Sequence, residues 1–586
     1  MVIPNDRLKF FRRVKAVRDS TSGEHEPGRV IRTILHLWTI RSFPGLGSNR
    51  APWGSSVHSA NPAVQELAEW ISSQAFSDGA YWIATAYALL ISKDLRAERA
   101  LFFTPPRLAE RVISNLVGAG ASLAEGTWHD PACGGSAFLV PLAIRMMKEL
   151  GSKKIAAKEK LKKIEGALSG NDVDPELLHL SKALLEMATF PLIKESRHFP
   201  TFKLSLGDGL RVDDQGTRFD VVICNPPYRK LKASEVHKYR IAHGDVIEGQ
   251  PNIYGLFINR AMQLAKKNGL VGLLTPTSFL SGDSFSLLRK KLLKESEVLR
   301  IDMLGNRKAM FIDVLQETAI TLLKPRAAVG AVGEAQTQIT VLTDEGSYQS
   351  IGKFPLPNSG LPWPIPRTSE DAKLVALAEA NRFTLADYGY IPRIGHLVAY
   401  RDKRPRFAKP LASPGGRLVV PLIWATDIAP NGRFEHGRQH RSRQSRTYVQ
   451  VKALDDAGVI KVRAVLLQRL TSSDQRSRLV AAAISPAWLK EHEAYVCENH
   501  VILLEPTDQA VVPAELMAKL LNSKAVDRIF RTISSAANVA VSELNGLLLP
   551  DPKEWVAAAA SSKDLEAAAR SAYERTAASQ TGRVRS

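Results

Sequence analysis

Residues 219–228 read Phe-Asp-Val-Val-Ile-Cys-Asn-Pro-Pro-Tyr, and this stretch decides how the rest of the chain is read. The apolar run Val221-Val222-Ile223 predicts a buried strand. The strand ends on Asn225, Pro226, Pro227 and Tyr228, a rim made rigid by prolines that fix φ and carry no N–H. Ligands of open α/β sheets sit at the carboxyl ends of the strands. There the side-chain carbonyl of Asn225 and the backbone carbonyl of Pro226 form a pair of acceptors suited to an exocyclic amine. Tyr228 offers a flat face for a base extruded from a duplex. The same residues also suit an ordinary proline turn, so the surroundings must decide.

Upstream, Asp130-Pro-Ala-Cys-Gly-Gly-Ser-Ala-Phe-Leu139 stands between a short candidate strand and an apolar helical run, Phe138–Met147. A Gly-rich strand-to-helix turn leaves helix N-terminal N–H groups free for a ligand. It is not the usual GxGxxG pattern. Further on, Gly170-Asn-Asp-Val-Asp-Pro175 places Asp172 and Asp174 after the next predicted strand, where a doubly wound domain grips ribose hydroxyls. Either Asp also suits a helix cap. Leu206-Gly-Asp-Gly209 adds a third acid, Asp208, in a turn. Phe102-Phe-Thr-Pro-Pro106 predicts Thr104 as an N-cap with Pro at the first helical position. Cys133 reads as a small buried residue, and His129 has no His or Cys partner at metal spacing, so no metal site is expected.

In this order the motifs resemble those of the γ-class adenine-N6 DNA methyltransferases, type II restriction–modification methylases with an NPPY motif. The resemblance is specific over residues 95–325 and looser to residue 550. It implies an α/β fold, with a Rossmann-like S-adenosylmethionine-dependent methyltransferase domain, a helical N-terminal extension and a C-terminal mixed α+β target-recognition domain. It also implies that Thr104 and Pro105 close over S-adenosylmethionine. Asp130, Ala132, Cys133 and Gly134 would line the amino-acid end of this cofactor, Asp172 would take its ribose hydroxyls and Asp208 its adenine amine. Asn225, Pro226, Pro227 and Tyr228 would hold the target adenine, with Phe311 as a second aromatic against it; Phe311 suits a core position equally well. The family usually has Gly where Ser136 stands, and Gly135 lies one place earlier.

The activity so implied is methyl transfer to N6 of a flipped adenine in double-stranded DNA. It would protect host DNA from a cognate restriction endonuclease, a functional and not necessarily a physical partner. Because the amine lone pair is delocalised into the ring, fixed acceptors at the amine would be the main aid, with no covalent intermediate. The sequence has no Pro-Cys dipeptide of the kind that attacks cytosine C5. Three alternatives remain at this level. A protein glutamine-N5 methyltransferase also uses an NPPY-type turn, but it is usually smaller and lacks the Thr104-Pro105 segment. A bifunctional restriction–modification enzyme would need a nuclease constellation, and residues 1–95 show no PD…ExK pattern. A non-catalytic DNA-recognition protein would not need an intact Asn225–Tyr228 motif.

The 586 residues carry 79 Lys and Arg against 59 Asp and Glu, a formal charge of +20. Such a balance suits a polyanion, because cationic contacts to phosphates release counterions. Three widely spaced cysteines form neither a disulfide framework nor a zinc motif. Without an apolar run long enough to span a bilayer, no membrane partner is expected and a cytoplasmic location is.

The expected organisation is a largely helical extension over 1–95, a catalytic domain over 96–330, a linker over 331–370, a DNA target-recognition domain over 371–555 and a fraying tail over 556–586. Trp70, Tyr81, Trp82 and Tyr87 are spaced as a packed helix face. A helix is predicted over Asn252–Lys267, then strands at Leu270–Leu274, Leu299–Leu304 and Thr318–Leu323. The window Arg393–Arg446 holds twelve Lys and Arg against three acids, with Tyr400, Phe407, Trp424 and Phe434 interleaved. Arg401, Arg404, Arg406, Arg441 and Arg443 are its candidate DNA contacts, joined by Arg229, Lys230 and Lys232 beside the NPPY motif. A solvated basic loop would look the same.

Overall fold

The computed structural model describes the chain apart from residues 1–3, 22–26, 47–60, 100, 102, 212–215, 306–316, 328–334, 358–359, 382, 411–417, 439–445, 472–474, 535–537 and 584–586. It divides into two units, residues 1–279 with 284–360, and residues 280–283 with 361–586.

The first unit is built on nine strands: β1 Trp128–Asp130, β2 Leu168–Asp172, β3 Lys203–Leu206, β4 Phe219–Cys224, β5 Ala265–Pro276, β6 Ser296–Leu304, β7 Thr318–Pro325, β8 Gln336–Leu342 and β9 Tyr348–Pro355. They run in the order β3-β2-β1-β4-β5-β7-β6-β8-β9. The stretch from β3 to β5 is parallel, and β7 is antiparallel to both β5 and β6. Helices follow or precede the parallel strands, among them Pro106–Gly118, Leu139–Gly151, Pro175–Ala188 and Ile253–Leu264. This is the expected Rossmann-like α/β layout. The chain moves outward from β1 to β2 and β3, then returns to place β4 on the other side of β1. A crevice opens where the strand order reverses, above the carboxyl ends of β1 and β4.

β4 is legible because Val221 to Cys224 are all nearly inaccessible, as parallel strands covered on both faces must be. The helix expected over Asn252–Lys267 stops at Leu264, and β5 takes the chain directly from Ala265. Asn268 adopts a positive φ of 61° at the turn in this strand. A Cβ on the adjoining Gly269 would sit 2.8 Å from the Asp220 carbonyl oxygen, so the glycine admits a close strand contact.

Two expected boundaries differ. The N-terminal helices Pro4–Ser20, Pro27–Ser42, Pro62–Ser72 and Phe76–Leu90 do not form a separate body. Phe10, Trp38, Trp82 and Ile83 share one core with Leu177, Leu184 and Val221. Phe10 and Trp82 rings lie 4.4 Å apart by centroid, and Arg32 pairs with Glu176 at 2.5 Å. Tyr81, Trp82 and Tyr87 are buried, as their spacing suggested, and Trp70 packs partly buried at the edge of the same core. The span expected as linker instead contains β8 and β9, paired antiparallel, with β8 parallel to β6. Its proline-rich end belongs to the second unit, where Trp363 and Ile365 are buried.

The second unit is mixed α and β. Four strands, β10 Tyr390–Ile394, β15 Val465–Gln468, β16 Ala481–Ala483 and β18 Val501–Pro506, form one sheet in the order β10-β18-β15-β16. A second sheet of five runs β11-β13-β12-β17-β14, from Arg406–Phe407, Tyr448–Val451, Leu418–Ile423, Tyr495–Cys497 and Val459–Ile460. The tail expected to fray is packed: helices Pro552–Ser561 and Leu565–Arg583 bury Trp555, Ala569, Ala572 and Tyr573. Small alanines give that helix no visible apolar stripe, yet they allow close approach to its neighbours. No helix among the described residues is long and apolar enough to cross a membrane.

Candidate active site

The carboxyl ends of β1, β2 and β4 open onto one cavity. Thr104, Asp130, Ala132, Cys133, Gly134, Asp172, Asn225, Pro226 and Pro227 all line it, so most residues singled out in sequence meet there. Phe103, Phe138 and Phe257 supply apolar walls, and Gly207 and Gly209 present bare backbone.

The first wall is the loop after β1. Asp130 is buried and accepts from the Ala132 N–H at 3.0 Å. Burial pushes its carboxyl up to about 8, with Ala132 opposing and Asp172 reinforcing the rise. The Cys133 N–H donates to the Asn171 carbonyl, tying the loop to the end of β2 at 2.9 Å. Burial also pushes the Cys133 and Cys224 thiols upward, which leaves both neutral, Cys133 in the cavity wall and Cys224 within β4. At Gly135 a Cβ would lie 2.7 Å from the Ala84 Cβ, so the N-terminal helix Phe76–Leu90 requires glycine there. The side chain stands at Ser136 instead, with a positive φ of 59°. His129, as expected, is structural: it stacks on Phe219 at 4.3 Å and bonds Ser169 Oγ at 2.9 Å.

The paired acids after β2 both line the cavity but take different partners. Asp174 caps helix Pro175–Ala188 through the N–H groups of Glu176 and Leu177, and also accepts from Tyr87 and Arg99. Asp172 faces the cavity and takes the N–H groups of Gly134 and Asp174, each at 2.8 Å. Burial raises it to about 6. Asp208 behaves differently from expectation. Its neighbours Gly207 and Gly209 line the cavity, while its own carboxylate is held by Lys238 Nζ at 2.6 Å and Tyr239 OH at 2.9 Å. Burial raises Asp208, but these donors and the Leu210 N–H outweigh it and hold the group below the usual carboxylate range.

At the end of β4, the Asn225 amide is clasped from two sides. Its Nδ2 donates to Thr104 Oγ1 at 2.9 Å, and its Oδ1 lies 2.6 Å from the Tyr228 hydroxyl. That hydroxyl has a second acceptor, the Leu274 carbonyl, at 3.0 Å. The Tyr228 ring packs edge-on to Tyr254 at 6.2 Å, and burial raises its phenol. Thr104 is therefore not the helix N-cap that its sequence suggested. Helix Pro106–Gly118 is entered through Pro105 at the cap position, and the Thr104 hydroxyl serves Asn225. Nothing local in sequence could have signalled a bond across 121 positions.

The candidate DNA contacts divide. Arg229 makes two bonds to Glu235, at 2.9 and 2.7 Å, and stiffens the start of helix Ala233–His243. Lys230 and Lys232 are exposed beside the same motif. In the second unit Arg404 is paired with Asp402 at 2.7 Å, and Arg406 bonds the carbonyls of Ala399 and Asp402, so both serve their own loop. Arg401 lies 5.2 Å from the centroid of the exposed Tyr400 ring. Phe311, Arg441 and Arg443 lie outside the described residues. Among the described residues no cluster of His, Cys, Asp and Glu is set to hold a metal ion.

The donor set fits S-adenosylmethionine: a carboxylate at the end of β2 for ribose hydroxyls, glycine backbone and a flat Phe257 for an adenine ring, and a neutral loop for the remainder. The fold and site together define a Rossmann-like methyltransferase, for which S-adenosylmethionine is the expected cofactor. Residues 141–311 match the Eco57I restriction-modification methylase family. The type II methyltransferase M.BsuBI of Bacillus subtilis is 22% identical over 476 residues, covering 78% of this chain and 88% of the relative. M.PstI of Providencia stuartii is 24% identical over 368 residues, 58% of this chain and 67% of the relative. The Type IIL restriction-modification enzyme MmeI, solved in complex with DNA, shares the fold at a TM-score of 0.54 and 10% identity, covering 97% of this chain and 93% of that one. The chain is thus a relative of the type II restriction–modification methylases.

Proposed function

We propose that this protein methylates N6 of an adenine drawn out of double-stranded DNA and thereby marks DNA within a restriction–modification system. The single observation that supports this reading most is the clasped Asn225 amide at the cavity rim, next to the Pro226 carbonyl. The names of its sequence relatives, type II methyltransferases, agree with a DNA substrate.

In this reading Asp172 holds the ribose hydroxyls of the cofactor, and Gly207, Gly209 and Phe257 bound its adenine. When bound, S-adenosylmethionine supplies an electrophilic methyl on a sulfonium centre. Asn225 Oδ1 and the Pro226 carbonyl accept the two amine hydrogens of the target base, favour a pyramidal nitrogen and stabilise the positive charge that grows on it. Thr104 Oγ1 accepts from Nδ2 and holds that end of the amide, which leaves Oδ1 for the base. The Tyr228 hydroxyl releases Asn225 as the amine arrives and turns to the Leu274 carbonyl, so neither group is left unpaired. The Tyr228 ring then stacks on the extruded base, offsetting part of the unstacking cost of a few kcal/mol. Lys230 and Lys232, exposed beside the rim, hold nearby phosphates, and Arg401 and Tyr400 act at the target sequence.

The test uses purified full-length protein, methyl-labelled cofactor and duplex DNA. The label is expected in N6-methyladenine, and Asn225→Ala is expected to lose transfer while still binding cofactor. Label in 4-methylcytosine, or in the glutamine amide of a protein substrate, would replace this reading with another.

A further inference from the structure

Three loops meet at one end of the four-stranded sheet in the second unit. β10 finishes at Ile394, β15 finishes at Gln468 and β18 begins at Val501, and the pairings of Ile394 with Ile502 and of Gln468 with Val501 set these ends side by side. Residues 395–401 and 469–471 leave from there. So does the turn of Glu498, Asn499 and His500, which carries the chain from β17 in the five-stranded sheet to β18 in this one. The turn is braced chiefly by its backbone. Glu498 donates its N–H to the Ile423 carbonyl at 3.0 Å, Asn499 to Leu397 at 2.9 Å and Val501 to Glu498 at 2.9 Å, while Arg469 donates to the His500 carbonyl at 2.8 Å. Gly395 is pressed against it, and a Cβ there would sit 2.1 Å from the Glu498 carbonyl oxygen.

Glu498 is 1% exposed, and a buried carboxylate is costly unless it is paired and hydrogen-bonded. Both of its oxygens are committed to one residue. Oε2 accepts the His500 backbone N–H at 2.9 Å, and Oε1 lies 2.6 Å from Nδ1 of the His500 ring. The first bond completes the turn, and the second holds only the ring. That ring is not buried: the His500 side chain is 43% exposed. With Nδ1–H donated to the carboxylate, Nε2 is left as an acceptor. A buried acid that fixes the tautomer and angle of an exposed imidazole orients it for a partner outside the chain. The surroundings indicate which partner. The three loops contain no acid besides Glu498, and they carry Arg401 and Arg469 together with the exposed Tyr400 and Leu470. Cations beside uncovered aromatic and apolar groups, with no exposed carboxylate, suit the phosphates and base edges of DNA.

We propose that His500 is a specificity-determining residue, its Nε2 accepting a hydrogen bond from an exocyclic amine on a base edge of the target duplex. The inference rests on reading the protein as a DNA methyltransferase. In the major groove such an acceptor meets N6 of adenine or N4 of cytosine, so it discriminates at a single base pair. Glu498 is a positioning residue that keeps Nε2 in its accepting form.

Sequencing of DNA from cells expressing the full chain gives the wild-type site. Single-turnover methylation then compares a duplex with that site against duplexes carrying each single base-pair change. Wild type is expected to reject each change by about tenfold or more. His500→Ala should reduce the rejection to within about twofold at one position and leave it intact at the others, with an unchanged Tm because the ring is exposed. Glu498→Gln turns a donor toward either the ring or the His500 N–H, and should weaken rejection at the same position. Rejection unchanged at every position in His500→Ala, the result that a phosphate contact or a purely structural role gives, would overturn the proposal. An equal loss at all positions would overturn it too. A wild type that methylates no duplex would instead remove the function on which the inference rests.

Discussion

Replacing Thr104 with Val keeps the shape of a side chain that is 2% exposed and removes the oxygen 2.9 Å from Asn225 Nδ2. The amide donor, at a part-buried position on the cavity wall, loses that acceptor. Removing one partner of a largely desolvated hydrogen bond costs about 1–3 kcal/mol. The amide then gains by turning over to offer Nδ2 to the Tyr228 oxygen, which points Oδ1 away from the place where an amine would bind. If the whole cost falls on the transition state, at about 1.4 kcal/mol per factor of ten, the methyl-transfer rate drops by about 5- to 150-fold. Single-turnover methylation of an adenine-containing duplex, at saturating S-adenosylmethionine, reads this rate without product release. Thr104→Ser keeps the oxygen and should restore most of the rate. A Thr104→Val protein that transfers methyl at the wild-type single-turnover rate, or loses only cofactor affinity, would refute the positioning role of Thr104.

Other changes follow from the same contacts. Tyr228→Phe keeps the ring and frees Asn225 Oδ1, so methylation should stay within about fivefold of wild type, whereas Tyr228→Ala loses a stacking face worth about 1–3 kcal/mol and should fall by far more in the same rate assay. Asp130 is held protonated in the fold, up to about 8, and the unfolded chain releases that proton near 4. The folded state therefore binds the extra proton between those values, and the stability it contributes declines as pH rises through the window. Calorimetric Tm should fall more steeply from about pH 5 to about pH 8 in wild type than in Asp130→Asn. A Cβ at Gly209 would run into the Pro131 carbonyl oxygen, so Gly209→Ala should lower both Tm and S-adenosylhomocysteine affinity; a variant with normal values would mean the turn after β3 is loose.

The parallel half of the sheet was legible because each strand ends in a local chemical signature: Asp130 after β1, Asp172 after β2 and Asn225 after β4. A buried strand written in β-branched residues and a turn written in Gly, Pro and Asp need no distant information. β9 was illegible for the opposite reason. Tyr348–Pro355 is an edge strand with no fully buried residue, so pairing with β8 and not an apolar pattern makes it a strand. The expected separation of residues 1–95 from the catalytic fold also failed on long-range contacts. Trp82 could be read as core, but not as part of the same core as Leu184. Within the site, residue identities were readable and orientations were not. Asp208 turns to Lys238 and Tyr239, and Asp174 rather than Asp172 takes the helix cap. Those choices depend on side chains brought together only by folding.

Single-molecule sequencing of DNA from cells expressing the protein addresses the central claim most directly, because it reports the modified base together with its neighbours. The account predicts 6-methyladenine at one recurrent sequence, absent from cells expressing Asn225→Ala. Unmodified adenine throughout, in cells where the purified protein binds S-adenosylmethionine, would contradict it.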